Sequence, residues 1–459
     1  MAGPSPDQPD QPDQPDLLDL AVRIADMASG GEQVEAFVAR STSTTVRAYG
    51  GEGESLTQAS SAGVGVRVVV DHREGFAYAG TLDEAVVLDA LAEARDNARF
   101  GEPDEFNGLA TPDGVDPAPL DLWPTGLPDV PTADKVALAL ELEKATTSRD
   151  RRVAGVRVAM YSDGLGEAAV ATSTGIRAWD RSGTSYLMVQ ALATQDGETQ
   201  IAGGLSVGRE LTDLSVDEAA EDAVLRATRL LGSTKPATQR VTLVLEPRMT
   251  ATVLGLVGGM LNGEAVLKGR SPFADRVGQA IASPLLTFVD DPTDARSLGA
   301  DTYDGEGLAR RRNELVREGV LQGFLQNTYT GRRSGTASTG SAARGVSSTP
   351  AVAAGALAVA PGRGSHEELV ASVGGGLFVT SMAGLHSGVN PVSGDFSVGV
   401  EGLMIRDGAL AEPVREATIA STLQRLLLDI SAVGADLEWL PDGTGGVTLV
   451  IPDVALSGQ

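Results

Sequence analysis

Cysteine is absent from this 459-residue chain, which excludes disulfides and thiolate metal ligands. Histidine is almost absent: His72, His366 and His386 are the only three, so an imidazole-rich metal centre or a histidine relay has little to draw on. Aromatic residues make up only 4% of the chain, so its core must be aliphatic, built from Ala, Val and Leu. Long apolar runs are missing too. The longest, Ala351 to Ala360, falls short of the roughly 20 residues a membrane-spanning helix needs. Positive charge is scarce, with a net charge of -26, and this argues against a nucleic-acid backbone as the main partner.

What remains is a soluble-protein composition, 42% hydrophobic with mean hydropathy near zero, in a chain long enough for two or three domains. Met1 to Asp16 is a Pro-Asp-Gln repeat without a basic or apolar leader region, so it reads as a disordered tail on a cytoplasmic protein. Residues 17–100 read as an N-terminal α+β domain. Apolar residues recur at helical spacing from Leu17 to Met27, short strands follow at Val34–Arg40 and Thr45–Tyr49, and a hairpin runs from Gly63–Val70 to Phe76–Ala79. A helix then opens at Thr81, the expected N-cap, and runs to Phe100.

Residues 101–131 are a proline-rich linker or extended surface segment, and 132–232 a central α+β domain. The central domain has a helix from Thr132, strands at Val153–Tyr161, Glu167–Thr172, Gly175–Asp180, Thr184–Thr194 and Gln200–Ser206, and a helix entered through Ser215. The first and central domains share an order of elements; they are either structurally similar units or two independent helix-flanked meanders. Residues 239–459 form a β-rich C-terminal domain with peripheral helices, including a strand at Leu285–Val289, turns at Arg317-Glu318-Gly319 and Asp407-Gly408, and a closing amphipathic helix at Ser421–Val433. The fold class is therefore α+β.

Four patterns bear on chemistry. Asn262-Gly263-Glu264-Ala265-Val266-Leu267-Lys268 places a glutamate between two residues that cannot bind a cation: glycine has no side chain, and a lysine ammonium repels the metal. Without ligands, Arg248 to Lys268 reads as an amphipathic packing helix. Ser365-His366-Glu367-Glu368 lacks a second histidine and reads as a capped helix start. His386, Ser387 and Asp395 contain the residue types of a hydrolase triad, but no nucleophile elbow surrounds the serine. The Gly331–Ser348 loop, rich in Gly, Ser and Thr, carries Arg332, Arg333 and Arg344, which suit carboxylate recognition.

Several segments in order, Ser271-Pro272-Phe273, Val289-Asp290-Asp291-Pro292, Asp304-Gly305-Glu306-Gly307, Gly331-Arg332-Arg333-Ser334-Gly335, Ser338-Thr339-Gly340, Gly388-Val389-Asn390 with Ser393-Gly394-Asp395-Phe396-Ser397, and the terminal Ile451 to Gln459, resemble the TldD/PmbA family. Within it the chain is similar to the PmbA (TldE) branch. TldD-type members carry H-E-x-x-x-H and a late cysteine and are zinc peptidases; the two histidines would fall at Gly263 and Lys268, the glutamate at Glu264, and the cysteine has no counterpart. Residues i and i+5 lie about 140° apart on a regular helix, so that motif needs a locally widened turn.

The resemblance implies a non-catalytic subunit of a heterodimeric peptidase acting on unfolded or leader peptides. Zinc and its ligands would then sit in a TldD-type partner, and this chain would hold no cofactor of its own. It also suggests substrate or interface roles for Arg332, Arg333, Ser338, Thr339, Arg344, His386 and Asn390. Two other readings stay open at this stage: an autonomous hydrolase with an unidentified site, and a homodimeric peptide-binding scaffold.

Overall fold

The computed structural model describes residues 17–459; the Pro-Asp-Gln tail lies outside the described residues. The fold is α+β. Its first half is one six-stranded antiparallel sheet. Helix α1 (Leu17–Ala25) leads into β1 (Gln33–Tyr49), β2 (Glu52–Val70), β3 (Arg73–Ala79) and α2 (Glu84–Phe100). After the proline-rich segment, α3 (Thr132–Arg149) leads into β4 (Val153–Thr172), β5 (Arg177–Gln195), β6 (Glu198–Gly208) and α4 (Val216–Arg229). The sheet order is β3-β2-β1-β4-β5-β6, so two three-stranded meanders meet through their first strands, with Glu35 to Ala48 antiparallel to Thr172 to Ala159.

Strand periodicity explains how the sheet is covered. On β1 the even positions Val34, Ala36, Val38, Val46 and Ala48 pack against the helices, with α1 and α2 over one end and α3 and α4 over the other. The odd positions Glu35 and Phe37 face the other way and are buried as well. There they meet the C-terminal half, where Phe37 clusters with Val170, Ile176, Ala178 and Leu308.

Several expected short strands prove to be parts of long ones. Ser41 to Ser43 and Gly164 to Gly166 break the apolar alternation but not the ladder, which runs on between the two regions the helices cover. The helix expected from Thr81 begins at Glu84, because Asp83 is the N-cap: its carboxylate accepts from the amides of Ala85 and Val86, while the Thr81 hydroxyl accepts from Asp83 N. Ser215 caps α4 as expected, accepting from Glu218 N.

In the C-terminal half, β7 (Gln239–Leu245) is central to a sheet whose strands run Ala409–Thr422, Asp395–Arg406, Gly375–Ala383, β7, Leu449–Ser457 and Ala432–Val433. A second sheet contains Asn313–Arg317, Phe288–Asp290 and Leu357–Val359. Helix α5 (Pro247–Met260) lies between them, burying Val253, Leu254, Val257 and Met260 in the largest core of the molecule. The two predicted turns form with positive φ at Glu318 and Gly319 and at Asp407 and Gly408.

Other expectations are corrected. The strand expected at Leu285–Val289 is Phe288–Asp290, and the closing helix spans only Leu423–Leu428, because Ser431 N and Ala432 are drawn into pairing with Val450. The single helix expected over Arg248 to Lys268 breaks at Leu261: Asn262 accepts from Glu264 N and Ala265 N and starts a separate turn, α6 (Gly263–Leu267). No helix among the described residues is long and apolar enough to cross a membrane.

Candidate functional site

The face of β1 and β2 that meets the C-terminal half carries charge. Glu35 and Arg67 sit directly opposite each other in the ladder. The guanidinium grips the carboxylate with both arms, Nε to Oε1 at 3.0 Å and Nη2 to Oε2 at 2.8 Å. Arg344, reaching in from the C-terminal half, pairs with the same Glu35 oxygen through Nη1, and its side chain is fully buried, stacked on Phe37. Burial alone would raise the pKa of Glu35, but Arg67 and Arg344 overcome it and hold the carboxylate below its ordinary range.

Glu306 completes the cluster. Its Oε2 accepts from the amide and hydroxyl of Thr328 at 2.8 and 2.7 Å, while Oε1 is buried without a hydrogen bond, 3.7 Å from Arg67 Nη2. Burial pushes its pKa up to about 7, against the pull of Arg67. Asp304, which accepts from the amides of Glu306, Leu308 and Ala342, is raised by burial too.

Beside this cluster opens a cavity of roughly 410 Å³. Its walls include Arg67 and Glu74 from the first sheet, Asn107 from the proline-rich segment, and Glu264 and Lys268 around α6. Tyr329 and Arg333 of α7 (Thr328–Ser334) complete the wall facing the proline-rich segment. Of the residues singled out at Asn262 to Lys268, Glu264, Leu267 and Lys268 face this cavity. Their chemistry is closed off: Lys268 pairs with Glu264 one turn earlier.

At Gly263 the backbone is packed so closely that a Cβ would overlap Oε1 of Gln326 and stand 2.6 Å from the Leu325 carbonyl, which itself accepts from Gly263 N at 2.8 Å. Two of the expected site residues hold that arrangement. Thr339 Oγ1 accepts from Gln326 N at 2.7 Å, and Ser338 Oγ donates to Gln326 O at 3.2 Å.

The segment from Gly331 to Ser348 is not a free surface loop. Its start is the end of α7, and Ser341 and Ala342 are fully buried. Arg332 reaches back to the carbonyls of Gly108 and Leu109 at 2.8 and 2.7 Å, fastening the proline-rich segment to the C-terminal half. Arg333 lines the cavity, donates to Tyr329 Oη at 2.7 Å, and faces Asp104 and the Phe106 ring.

His386 and Asn390 are exposed on a different stretch of chain and do not line this cavity. Asn390 caps a turn by accepting from Val392 N. Ser387 donates to Gly384 O, and Asp395 accepts from Ser393 Oγ, so the imagined triad is spent on local turns. His366 is part of a capped helix start, as expected: Ser365 and Glu368 form a reciprocal capping box.

Sequence reasoning missed Glu35, Arg67 and Glu306 as cluster members. The signal available was a charged residue set inside an apolar strand, Val34-Glu35-Ala36 and Val66-Arg67-Val68, where alternation would otherwise place apolar or surface residues.

Compared with known proteins, the chain matches in order PmbA/TldA metallopeptidase domain 1 over residues 34–98, the central domain over 126–231 and the C-terminal domain over 238–458. It is 26% identical over 447 residues to the metalloprotease PmbA of Escherichia coli O157:H7, covering 96% of each chain. It is 25% identical over 426 residues to a metalloprotease TldD homolog of Haemophilus influenzae, covering 86% of each. Its fold superposes on the crystal structure of TldE from Thermococcus kodakarensis with a TM-score of 0.86 at 24% identity, covering 93% of this chain and 97% of that one.

Proposed function

Because this chain belongs to the PmbA/TldD metallopeptidase family, we propose that it is the non-catalytic, TldE-type subunit of a two-chain zinc peptidase acting on unfolded peptides. The observation that carries this reading is the packing at Gly263. A catalytic zinc site needs three protein ligands converging on one point, with a water in the fourth position. At the positions where a TldD-type chain would supply two imidazoles, this chain has a glycine whose Cβ space is filled by Gln326 and Leu325, and a lysine paired with Glu264. Among the described residues, no three His, Asp or Glu side chains are grouped to hold a metal ion. The residues here do not fit zinc.

In this reading the partner supplies the metal, its ligands and the base that activates water. This chain supplies wall and shape, through the cavity between its first sheet and α7 and through the Glu35–Arg67–Arg344 cluster that holds those two parts in register. The test is affinity purification of the chain from its native cell, with zinc measured in the isolated chain and in whatever accompanies it. The expected result is a companion carrying H-E-x-x-x-H together with zinc, and peptide cleavage only by the pair. Stoichiometric zinc with turnover in the isolated chain would overturn the proposal.

A further inference from the structure

A second cavity, of roughly 200 Å³, shares no residue with the one lined by Tyr329 and Arg333. It lies where β4 and β5 meet the segment from Asp301 to Arg310. Sites for drug-sized ligands run to roughly 300 to 1,000 Å³, so this one suits a group the size of a single amino-acid residue.

Two carboxyl groups meet in its wall. Asp180 of β5 and Asp301 stand in hydrogen-bonding contact, and both also line an adjoining groove of roughly 500 Å³. Asp180 is held in place by two amides: Oδ1 accepts from Arg181 N at 2.6 Å and Oδ2 from Thr302 N at 2.9 Å. The Asp301 side chain is 43% exposed, but what it faces is this recess rather than bulk water. Burial accordingly pushes its pKa up to about 7 against the pull of Arg310, and Asp180 adds to the rise. Two carboxyls in contact do not both ionise easily, so near neutral pH the pair shares a proton.

The neighbouring arginines do not neutralise the pair. Arg310 Nη2 stays 3.8 Å from Asp301, and Arg209 is spent on the carbonyls of Gly183 and Ser297 at 3.3 and 2.9 Å. Asp304, the third acid in the wall, is already engaged by three backbone amides. A cation seated between Asp180 and Asp301 would replace the shared proton and relieve their repulsion. Among the described residues no three His, Asp or Glu side chains are grouped to hold a metal ion, which favours an organic ammonium.

The same cavity holds unused donors. Arg310 and Arg344 both line it, with side chains only 8% and 0% exposed. Nε of Arg310, and Nε and Nη2 of Arg344, are buried without a hydrogen-bond partner. Buried polar groups are ordinarily paired, so these N–H groups call for an acceptor. A ligand that fits therefore carries an ammonium and an oxygen close together, as the first residue of a peptide does. A peptide C-terminus would instead bring a carboxylate against the carboxyl pair.

We infer that this cavity holds the N-terminal residue of a peptide, its α-ammonium on Asp180 and Asp301 and its first carbonyl oxygen toward Arg310 and Arg344. Phe37, Val170 and Tyr303 give its side chain a surface to pack on. The following residues leave along the groove, where Ala39, Ser41, Ala62, Gly63 and Gly166 are small enough to leave them room. That the occupant is a peptide rests on the peptidase reading; the demand for an ammonium rests on the cavity alone.

The test is isothermal titration of the isolated full chain with a leucine-headed tripeptide amide. The free-amine peptide should bind, and its N-acetylated form, which has no ammonium, should bind at least about tenfold more weakly. Free leucine, with nothing to place in the groove, should also be at least about tenfold weaker. At about pH 6 binding should release about one proton as the ammonium displaces it, read as an enthalpy that varies with the buffer. Asp301→Asn, matched in shape, should lose at least about tenfold in affinity and abolish the proton release, with unchanged circular dichroism. Equal affinity for the acetylated peptide, no binding of the free-amine peptide at millimolar concentration, or wild-type affinity in Asp301→Asn would overturn the inference. Equal binding of free leucine would overturn the peptide as its occupant. Binding requires no cleavage, so a chain that binds the peptide but has no zinc-bearing companion fails the peptidase reading alone.

Discussion

Replacing Glu306 with glutamine tests the buried cluster directly. In the folded chain this carboxyl titrates at about 7, against an ordinary value of 4.5, because burial disfavours its charged form. Between those two pH values the folded chain keeps a proton that the unfolded chain has released. Stability therefore falls as pH rises through that window and levels off above it. At 1.36 kcal/mol per pH unit, the displacement amounts to at most ~3 kcal/mol.

Glutamine has no proton to lose, and its carbonyl can still accept from both Thr328 donors, which lie 2.8 and 2.7 Å from the present oxygen. The variant should thus match the wild type within ~1 kcal/mol at about pH 5, and be the more stable by ~2 kcal/mol at about pH 8.5. Urea denaturation of both proteins at closely spaced pH values measures this difference. Parallel pH profiles, or a variant that is the weaker one at the alkaline end, would refute the assignment of a high-pKa carboxyl to residue 306.

Gly263→His should cost about 2 kcal/mol or more, since the new side chain must displace the Leu325 carbonyl and Gln326, and the variant combined with Lys268→His should still bind no stoichiometric zinc by atomic absorption. Arg332→Ala should free the proline-rich segment, read as faster hydrogen exchange or protease nicking within residues 101–131, at a cost of about 1 to 3 kcal/mol for the lost charged hydrogen bonds to Gly108 and Leu109. Asp83→Ala should lower the unfolding free energy by about 1 kcal/mol through loss of the α2 cap, whereas Thr81→Ala should cost less.

Turns and two of the helix caps were readable in the sequence because their causes are local, whereas the cap expected at Thr81 lies two residues on, at Asp83. Asp407-Gly408 and Glu318-Gly319 carry the positive φ values their hairpins need, and Ser215 and Ser365 cap the helices they precede. Strand length was less readable. Ser41-Thr42-Ser43 resembles a loop in composition, yet its backbone pairs with β2 and β4 at every position. Exposure removed the apolar pattern without removing the ladder.

The break before α6 had a local sign in Asn262, a strong N-cap residue, but the apolar periodicity on either side masked it. The ion cluster was hidden for a different reason: Glu35 and Arg344 are 309 positions apart, and only the fold brings them together. That Glu264 and Lys268 line a cavity was not foreseen, since their segment read as a packing helix, and the close packing at Gly263 depends on Gln326, whose part no spacing in the sequence discloses.

The pairing of β1 with β4 also has a meaning in time. Val34 N donates to Ser173 Oγ, 139 positions later in the chain, so during synthesis at 5–20 residues per second β1 must wait on the order of 10 s for its neighbour to emerge. Throughout that interval the first meander presents β1 itself as an open edge, a template for mispairing between nascent chains. The ordering of these two domains is then a race between translation and aggregation. Slowing the ribosome between residues 100 and 150 should lower the soluble yield more than slowing it after residue 232, when the six-stranded sheet is already complete.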